Sequence, residues 1–202
     1  MSNKQKIVLA SGNKGKLREF SELFAPLAIE IIPQGELGVS DADETGLSFI
    51  ENAILKARHA AALTGLPALA DDSGLAVHGL NGEPGIYSAR YAGTDKSDTA
   101  NIDKVLQQLK ARGIENSAAS FICVLALVRH ASDPTPIISQ GEWRGTILPE
   151  PRGQGGFGYD PIFWVAAEGL SAAELPAERK REISHRGKAL QQLLPQLAQL
   201  YR

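Results

Sequence analysis

Short apolar runs bounded by glycine and proline alternate along this chain with longer stretches of helical periodicity, and that alternation restricts the fold more than any other feature. Ile7-Val8-Leu9-Ala10 reads as a buried strand within residues 6–11, ended by Ser11-Gly12-Asn13, with a helical stretch following over about residues 16–24. Ile29-Glu30-Ile31-Ile32 is a second strand closed by Pro33. From Ser48 to Thr64, Phe49, Ile50, Ala53, Ile54, Ala57, Ala60 and Ala61 recur at three- and four-residue spacing. Ser48 with Glu51 fits a capping box there, and Gly65 supplies the stop. A strand over residues 67–70 runs into Asp71-Asp72-Ser73-Gly74 and continues through Leu75-Ala76-Val77. After a glycine- and proline-marked connection in which residues 87–91 are a candidate structured stretch, Ile102, Val105, Leu106 and Leu109 predict a helix over 98–112. Two longer strands, 120–129 and 137–148, flank Asp133-Pro134-Thr135-Pro136; a glycine-rich loop at 152–161 precedes a last strand over 162–165. The end of the chain reads as helix, with Pro195 expected to kink or interrupt it. Strands interleaved with helices specify an α/β protein, a single domain over residues 1–202 with a central mixed β-sheet and flanking helices.

Composition narrows the function classes. A chain of 202 residues, 43% hydrophobic and 22% charged, can bury one substantial core. A formal charge of -2 gives no global basic field, so neither sequence-independent nucleic-acid binding nor a basic membrane surface is expected, and any polyanion must be held by a local cluster. The first residues lead into too few apolar positions for a signal peptide or a membrane span, which predicts a cytoplasmic location. The single cysteine, Cys123, lies in the apolar run 121–128 and reads as a small core hydrophobe. His59, His78 and His130 lack metal-ligand spacing and read as structural.

Several segments carry chemistry. Ser11-Gly12-Asn13-Lys14-Gly15-Lys16 sets two lysines and two glycines where a strand meets a helix, a place where backbone N–H groups and the helix dipole favour an anion. It is not a P-loop, since Leu17 stands where a magnesium-binding Ser or Thr would follow, and a solvated basic turn is the competing reading. Asp71-Asp72 follows a buried strand directly, so both carboxylates emerge at the carboxyl end of the sheet, pointing opposite ways. One can face a metal or a water while the other is held by donors; an Asp-Ser-Gly turn is the plain alternative. Asp43 and Glu44 offer further oxygen ligands from a loop, or are simply solvated. Asn52 and Lys56 share a helix face, from which Lys56 could reach a phosphate or else lie exposed. The loop Gly155-Gly156-Phe157-Gly158-Tyr159-Asp160-Pro161 combines backbone freedom, two aromatic rings and a carboxylate, a composition suited to stacking a base or to an aromatic turn. Ser184-His185-Arg186-Gly187 opens a helix after the basic run Arg179-Lys180-Arg181, where His and Arg can donate to keto oxygens or phosphates.

Six segments in order resemble the inosine/xanthosine triphosphate pyrophosphatase family: Ser11 to Lys16, Glu51 to Ala57, Ala70 to Leu75, Pro84 to Tyr91, Gly155 to Pro161 and Ser184 to Gly187. The resemblance implies an elongated fold whose two lobes flank a substrate cleft, a homodimer, and Mg²⁺-dependent hydrolysis of deaminated purine nucleoside triphosphates to monophosphate and pyrophosphate. Position by position, Asp72 resembles the family's acceptor of the attacking water's proton and a metal ligand, with Asp71 in support. Glu44, or in second place Asp43, looks like the other metal carboxylate. Ser11, Gly12, Asn13, Lys14, Gly15, Lys16, Lys56 and Ser73 match positions that grip the triphosphate and sugar. Phe157, Gly158, Tyr159, Asp160, Lys180, His185 and Arg186 match those lining the base and adjacent phosphate. The His185-Arg186 pair and the Phe157 loop argue against the related Maf-like pyrophosphatases; a nucleotide sensor that binds without turnover is the rival from another class.

Overall fold

Strands and helices follow one another in the computed structural model, which describes residues 5–12, 16–17, 20–21, 24, 29–95 and 97–200. The strands are β1 (Gln5–Leu9), β2 (Ile29–Pro33), β3 (Ala68–Val77), β4 (Ser117–Val128), β5 (Ile137–Ile147), β6 (Phe163–Val165) and β7 (Leu170–Ser171). The helices are α1 (Phe49–Thr64), α2 (Asp98–Ala111), α3 (Ala177–Ile183) and α4 (His185–Leu200). Lys16, Leu17, Phe20, Ser21 and Phe24 are also helical, as the sequence predicts, and Phe20 and Phe24 are fully buried. The sheet order is β2-β1-β3-β4-β5-β6-β7, parallel around β1 and antiparallel from β5 to β7, which is the expected mixed α/β architecture. Among the described residues, no helix is long and apolar enough to cross a membrane.

The chain resolves into two compact units. The first takes in the chain up to Asp72, residues 124–140 and the stretch from Leu190 onward; the second comprises 73–123 and 141–189. In the first, β1 runs parallel to β2 and β3, with Ile7, Val8 and Leu9 wholly buried, as a strand covered on both faces requires. Helix α1 starts where the pattern places it. The Ser48 hydroxyl accepts the Glu51 N–H, while the Glu51 carboxylate accepts from the Ser48 hydroxyl and the Leu47 N–H. Its small residues Ala53, Ala57, Ala60 and Ala61 form the buried face. Where β4 turns into β5, the buried Asp133 carboxylate accepts from the Arg129 side chain and backbone N–H and from the Thr135 N–H, while the Asp133 carbonyl accepts from Arg58 of α1. Cys123 is fully buried in β4, as a core residue.

In the second unit, Val105 and Leu109 of α2 pack with Phe121 of β4, Trp143 of β5 and Phe163 of β6 in one apolar core. The Ser97 hydroxyl caps α2 by accepting the Ala100 N–H. Residues 85–90 form a 3₁₀ segment.

Three expectations need correction. The strand at 163–165 is not the last: β7 pairs back onto it through a turn with Gly169 at φ 64°, and two residues are too few to carry a periodic signal. Strand β4 begins at Ser117, because its first residues alternate burial and so lack a continuous apolar run. Helix α4 runs through Pro195, where burial of Leu193 and Leu197 on either side offsets the proline's cost. The break falls instead at Ser184, whose backbone is extended between α3 and α4.

Hydrogen bonds from the Arg129 side chain hold the Asp133 carboxyl well below the usual carboxylate range. A depressed folded pKa contributes stability that is complete above the unfolded value and lost as pH falls toward the folded one. Asp133→Asn is expected to cost about 1–3 kcal/mol at neutral pH, with the gap to wild type shrinking from about pH 4 downward. Urea melts at pH 7 and pH 3 check this, and a gap that does not change with pH would contradict it.

Candidate functional site

The first unit gathers three carboxylates and two ammonium groups. Asp71 and Asp72, 1% and 7% exposed, lie mid-strand in β3, and their alternation sends them to different partners. Asp71 pairs with Lys16 from the helical residues after β1. Asp72 Oδ1 accepts from Lys56 Nζ of α1 at 2.7 Å, and the same ammonium donates to Glu44 Oε1 at 3.0 Å. Lys16 and Lys56, expected as phosphate ligands, thus stand on the carboxylates here. The loop carrying Glu44 is fastened to the start of α1, with the Gly46 N–H donating to Asn52 Oδ1 at 2.8 Å and the Leu47 N–H to Glu51. A Cβ on Gly46 would lie 2.6 Å from the Glu51 Cβ, so only glycine lets the loop come this close. Asp43 is exposed and uses its carbonyl, which accepts from the Thr45 N–H; of the two loop acids the structure brings Glu44 to Asp72. Ser11 and Gly12 close β1, while Asn13, Lys14 and Gly15 lie outside the described residues. On α1, His59 hydrogen-bonds the Ser40 carbonyl at 3.0 Å, in keeping with a structural role.

Among the described residues, Lys16 stands on Asp71 and Lys56 on both Glu44 and Asp72, so carboxylates and ammonium groups are interleaved here. Burial pushes the Asp72 carboxyl up and the Lys56 ion pair only partly restores it, with Glu44 and Asp71 adding to the rise. Burial lowers Lys56, but the Asp72 and Glu44 carboxylates outweigh it and the net direction is also up. Asp72 Oδ2 is buried with no hydrogen-bond partner among the described residues. Hard carboxylate oxygens, one still open, fit a divalent cation. Among the described residues no three His, Cys, Asp or Glu side chains converge on one point, so such an ion would complete its shell with phosphate and water oxygens.

The second unit gathers an aromatic ring, cations and a tightly pinned loop. Phe157 is 52% exposed, with Lys180 Nζ 5.2 Å and Arg186 Cζ 5.8 Å from its ring centre. Asp160 pairs with Lys180 and its Oδ2 accepts the Phe157 N–H at 2.8 Å; a Cβ on Gly156 would strike that oxygen at 2.1 Å. The Gly158 N–H donates to Asp98 Oδ2 at 2.7 Å. Tyr159, expected to line the base, is buried instead: its hydroxyl donates to the Ser88 carbonyl at 2.8 Å, so it supports the loop from beneath. Burial pushes that phenol well above its ordinary range. Arg186 donates to the Ser73 hydroxyl at 3.4 Å.

His185 is buried and lies flat on Phe121, ring centres 4.8 Å apart at 12°, with Trp143 6.4 Å away. Two glycines permit this corner. A Cβ on Gly141 would stand 1.9 Å from the His185 carbonyl oxygen, and one on Gly187 1.8 Å from that of Arg181. Sequence reasoning singles out none of Phe121, Trp143, Asp98 or Ser88 as part of the site. Each reads as an ordinary core, capping or turn residue, and its partner lies far along the chain.

Fold and clusters together define an α/β protein with a largely buried group of carboxylates paired with two lysines and with an exposed aromatic ring beside two cations. The chain belongs to the Ham1 family, whose model matches residues 7–196. It is 59% identical to the dITP/XTP pyrophosphatase of Yersinia pseudotuberculosis, over 96% of this chain and 98% of that protein. The Escherichia coli protein of the same name is likewise 59% identical over 96% of this chain and 98% of its own length. A HAM1 protein from Coxiella burnetii has a similar structure, with TM-score 0.93 and 53% identity over 96% of this chain and 99% of that one.

Gly141→Ala forces its new methyl group against the His185 carbonyl, and overpacking of this kind costs about 1–3 kcal/mol. Thermal melting should show a fall of several degrees; an unchanged melting temperature would mean that the corner yields freely.

Proposed function

We propose that this chain hydrolyses deaminated purine nucleoside triphosphates, those of inosine and xanthosine in ribo or deoxyribo form, to the monophosphate and pyrophosphate. The reaction clears them from the nucleotide pool. The observation that carries the proposal is the Glu44–Lys56–Asp72 arrangement, in which one ammonium spans two carboxylates and a buried Asp72 oxygen has no hydrogen-bond partner among the described residues. The names of the Yersinia and Escherichia relatives supply the substrate class.

In this reading Asp72 accepts the proton of the water that attacks the α-phosphorus, and burial that raises its carboxyl makes it a stronger base than a solvated aspartate. Lys56 and Lys16 are the ammonium groups at hand for the phosphate oxygens, with Asn13, Lys14 and Gly15 assigned beside them by resemblance alone. Glu44 and Asp72 would hold magnesium, which when bound neutralises phosphate charge and acts as a Lewis acid. Phe157 offers the face on which a purine stacks; Lys180 and Arg186 flank that ring with donors suited to keto oxygens and phosphate, and His185 is assigned to the base by resemblance. Donors aimed at a 6-keto oxygen would be left unpaired by the amino group of adenine, and that mismatch sets the selectivity. The working form is taken as a cytoplasmic homodimer, as the family resemblance implies.

The test is product analysis with Mg²⁺ and, separately, inosine, xanthosine, adenosine and guanosine triphosphates. Pyrophosphate should come from the first two with little from the others, and Asp72→Asn should lower turnover by about 10²–10⁴-fold while still binding inosine triphosphate. Orthophosphate as the product, or an Asp72→Asn variant that turns over normally, would rule the proposal out.

A further inference from the structure

The segment Pro84-Gly85-Ile86-Tyr87-Ser88-Ala89-Arg90-Tyr91 is conspicuous in the sequence and meets the loop described above at Tyr159. Its hydrogen bonds lead to the start of α2. Asn101 Oδ1 accepts the Ala92 N–H at 2.7 Å, and Asn101 Nδ2 donates to the Ala89 carbonyl at 3.3 Å. Lys104, one turn on, donates to the Tyr91 carbonyl. Ser88 is buried, its hydroxyl donating to the Gly85 carbonyl at 2.6 Å and accepting the Leu75 N–H at 2.9 Å, two residues beyond Ser73. Its carbonyl receives the Tyr159 hydroxyl. The first turns of α2 therefore hold the 3₁₀ segment, and that segment holds the loop from below.

The same helix end also grips the loop directly. Asp98, the first residue of α2, accepts the N–H of Gly158, the residue between exposed Phe157 and buried Tyr159. Gly158 sits at φ 61°, a left-handed conformation that carries no bulk to fix it, and a charged acceptor at 2.7 Å supplies that restraint. The Phe157 ring is thus fixed by Asp160 on its own N–H, by Tyr159 through Ser88, and by Asp98 on the next N–H. Of these, Asp98 is exposed and lies 60 residues away in sequence.

We infer that Asp98 is a positioning residue that sets base discrimination by fixing the Gly158 peptide under the Phe157 platform. This rests on the proposed function's assignment of Phe157 as the surface that takes the purine. An aspartate here does by a side chain what the loop's glycines cannot do for themselves.

The experiment compares wild type, Asp98→Ala and Asp98→Asn in steady-state pyrophosphate release from inosine and adenosine triphosphates, with thermal melts of all three. Asp98→Ala should raise KM for inosine triphosphate by about tenfold, more than it lowers kcat, and narrow the ratio of kcat/KM between the two nucleotides. Asp98→Asn keeps an oxygen for the Gly158 N–H and should recover most of both quantities. If Asp98→Ala changes only the melting temperature, or Asp98→Asn is as impaired as Asp98→Ala, the inference fails while the proposed function stands. A wild type that releases no pyrophosphate from inosine triphosphate brings down both.

Discussion

One ammonium group between two carboxylates organises the first unit. Lys56 can reach Glu44 and Asp72 together only because α1 begins at its Ser48 cap and because Gly46 lets the preceding loop lie against Glu51 and Asn52. Its position on the helix, one turn after Asn52, then puts the amine opposite the middle of β3. Local sequence rules, a capping box and a helical period, thereby become an electrostatic arrangement. Burial makes that arrangement matter, since charges taken out of water must be matched. Burial raises the Asp72 carboxyl, and the two carboxylates around Lys56 raise its ammonium.

The second unit answers a different need, which is to hold an exposed aromatic ring still. A glycine-rich loop is free to move, so the peptides around Phe157 are tied down by Asp160 within the loop, by Asp98 from α2, and by the Tyr159 hydroxyl on the Ser88 carbonyl. The corner carrying His185 is fixed by packing instead, between the Phe121 ring and the bare backbone of Gly141. Hydrogen bonds set the loop and close packing sets the corner, and both depend on positions where a Cβ has no room.

Much of this was legible from the residues alone, for identifiable reasons. Helix α1 announced itself by period and cap and the opening strand by its apolar run, whereas Asp71-Asp72, expected at the carboxyl end of the sheet, lie mid-strand because β3 continues to Val77. What stayed hidden had no local signature. Strand β7 is two residues long, and the continuity of α4 across Pro195 is decided by the burial of Leu193 and Leu197. The choice between Asp43 and Glu44 turned on which one the loop delivers to Lys56, a question of backbone path. Asp98 read as a helix start, and Tyr159 as a base contact, because a hydrogen bond across 60 or 71 residues leaves no trace in spacing.

The account stands on Glu44 and Asp72 forming the cation's protein ligands. Manganese binding, followed by electron paramagnetic resonance with a non-hydrolysable inosine triphosphate analogue present, addresses that directly. Glu44→Gln should weaken binding by about tenfold or more, while Asp43→Asn binds as the wild type does. Undiminished affinity in Glu44→Gln, or a loss confined to Asp43→Asn, would contradict it.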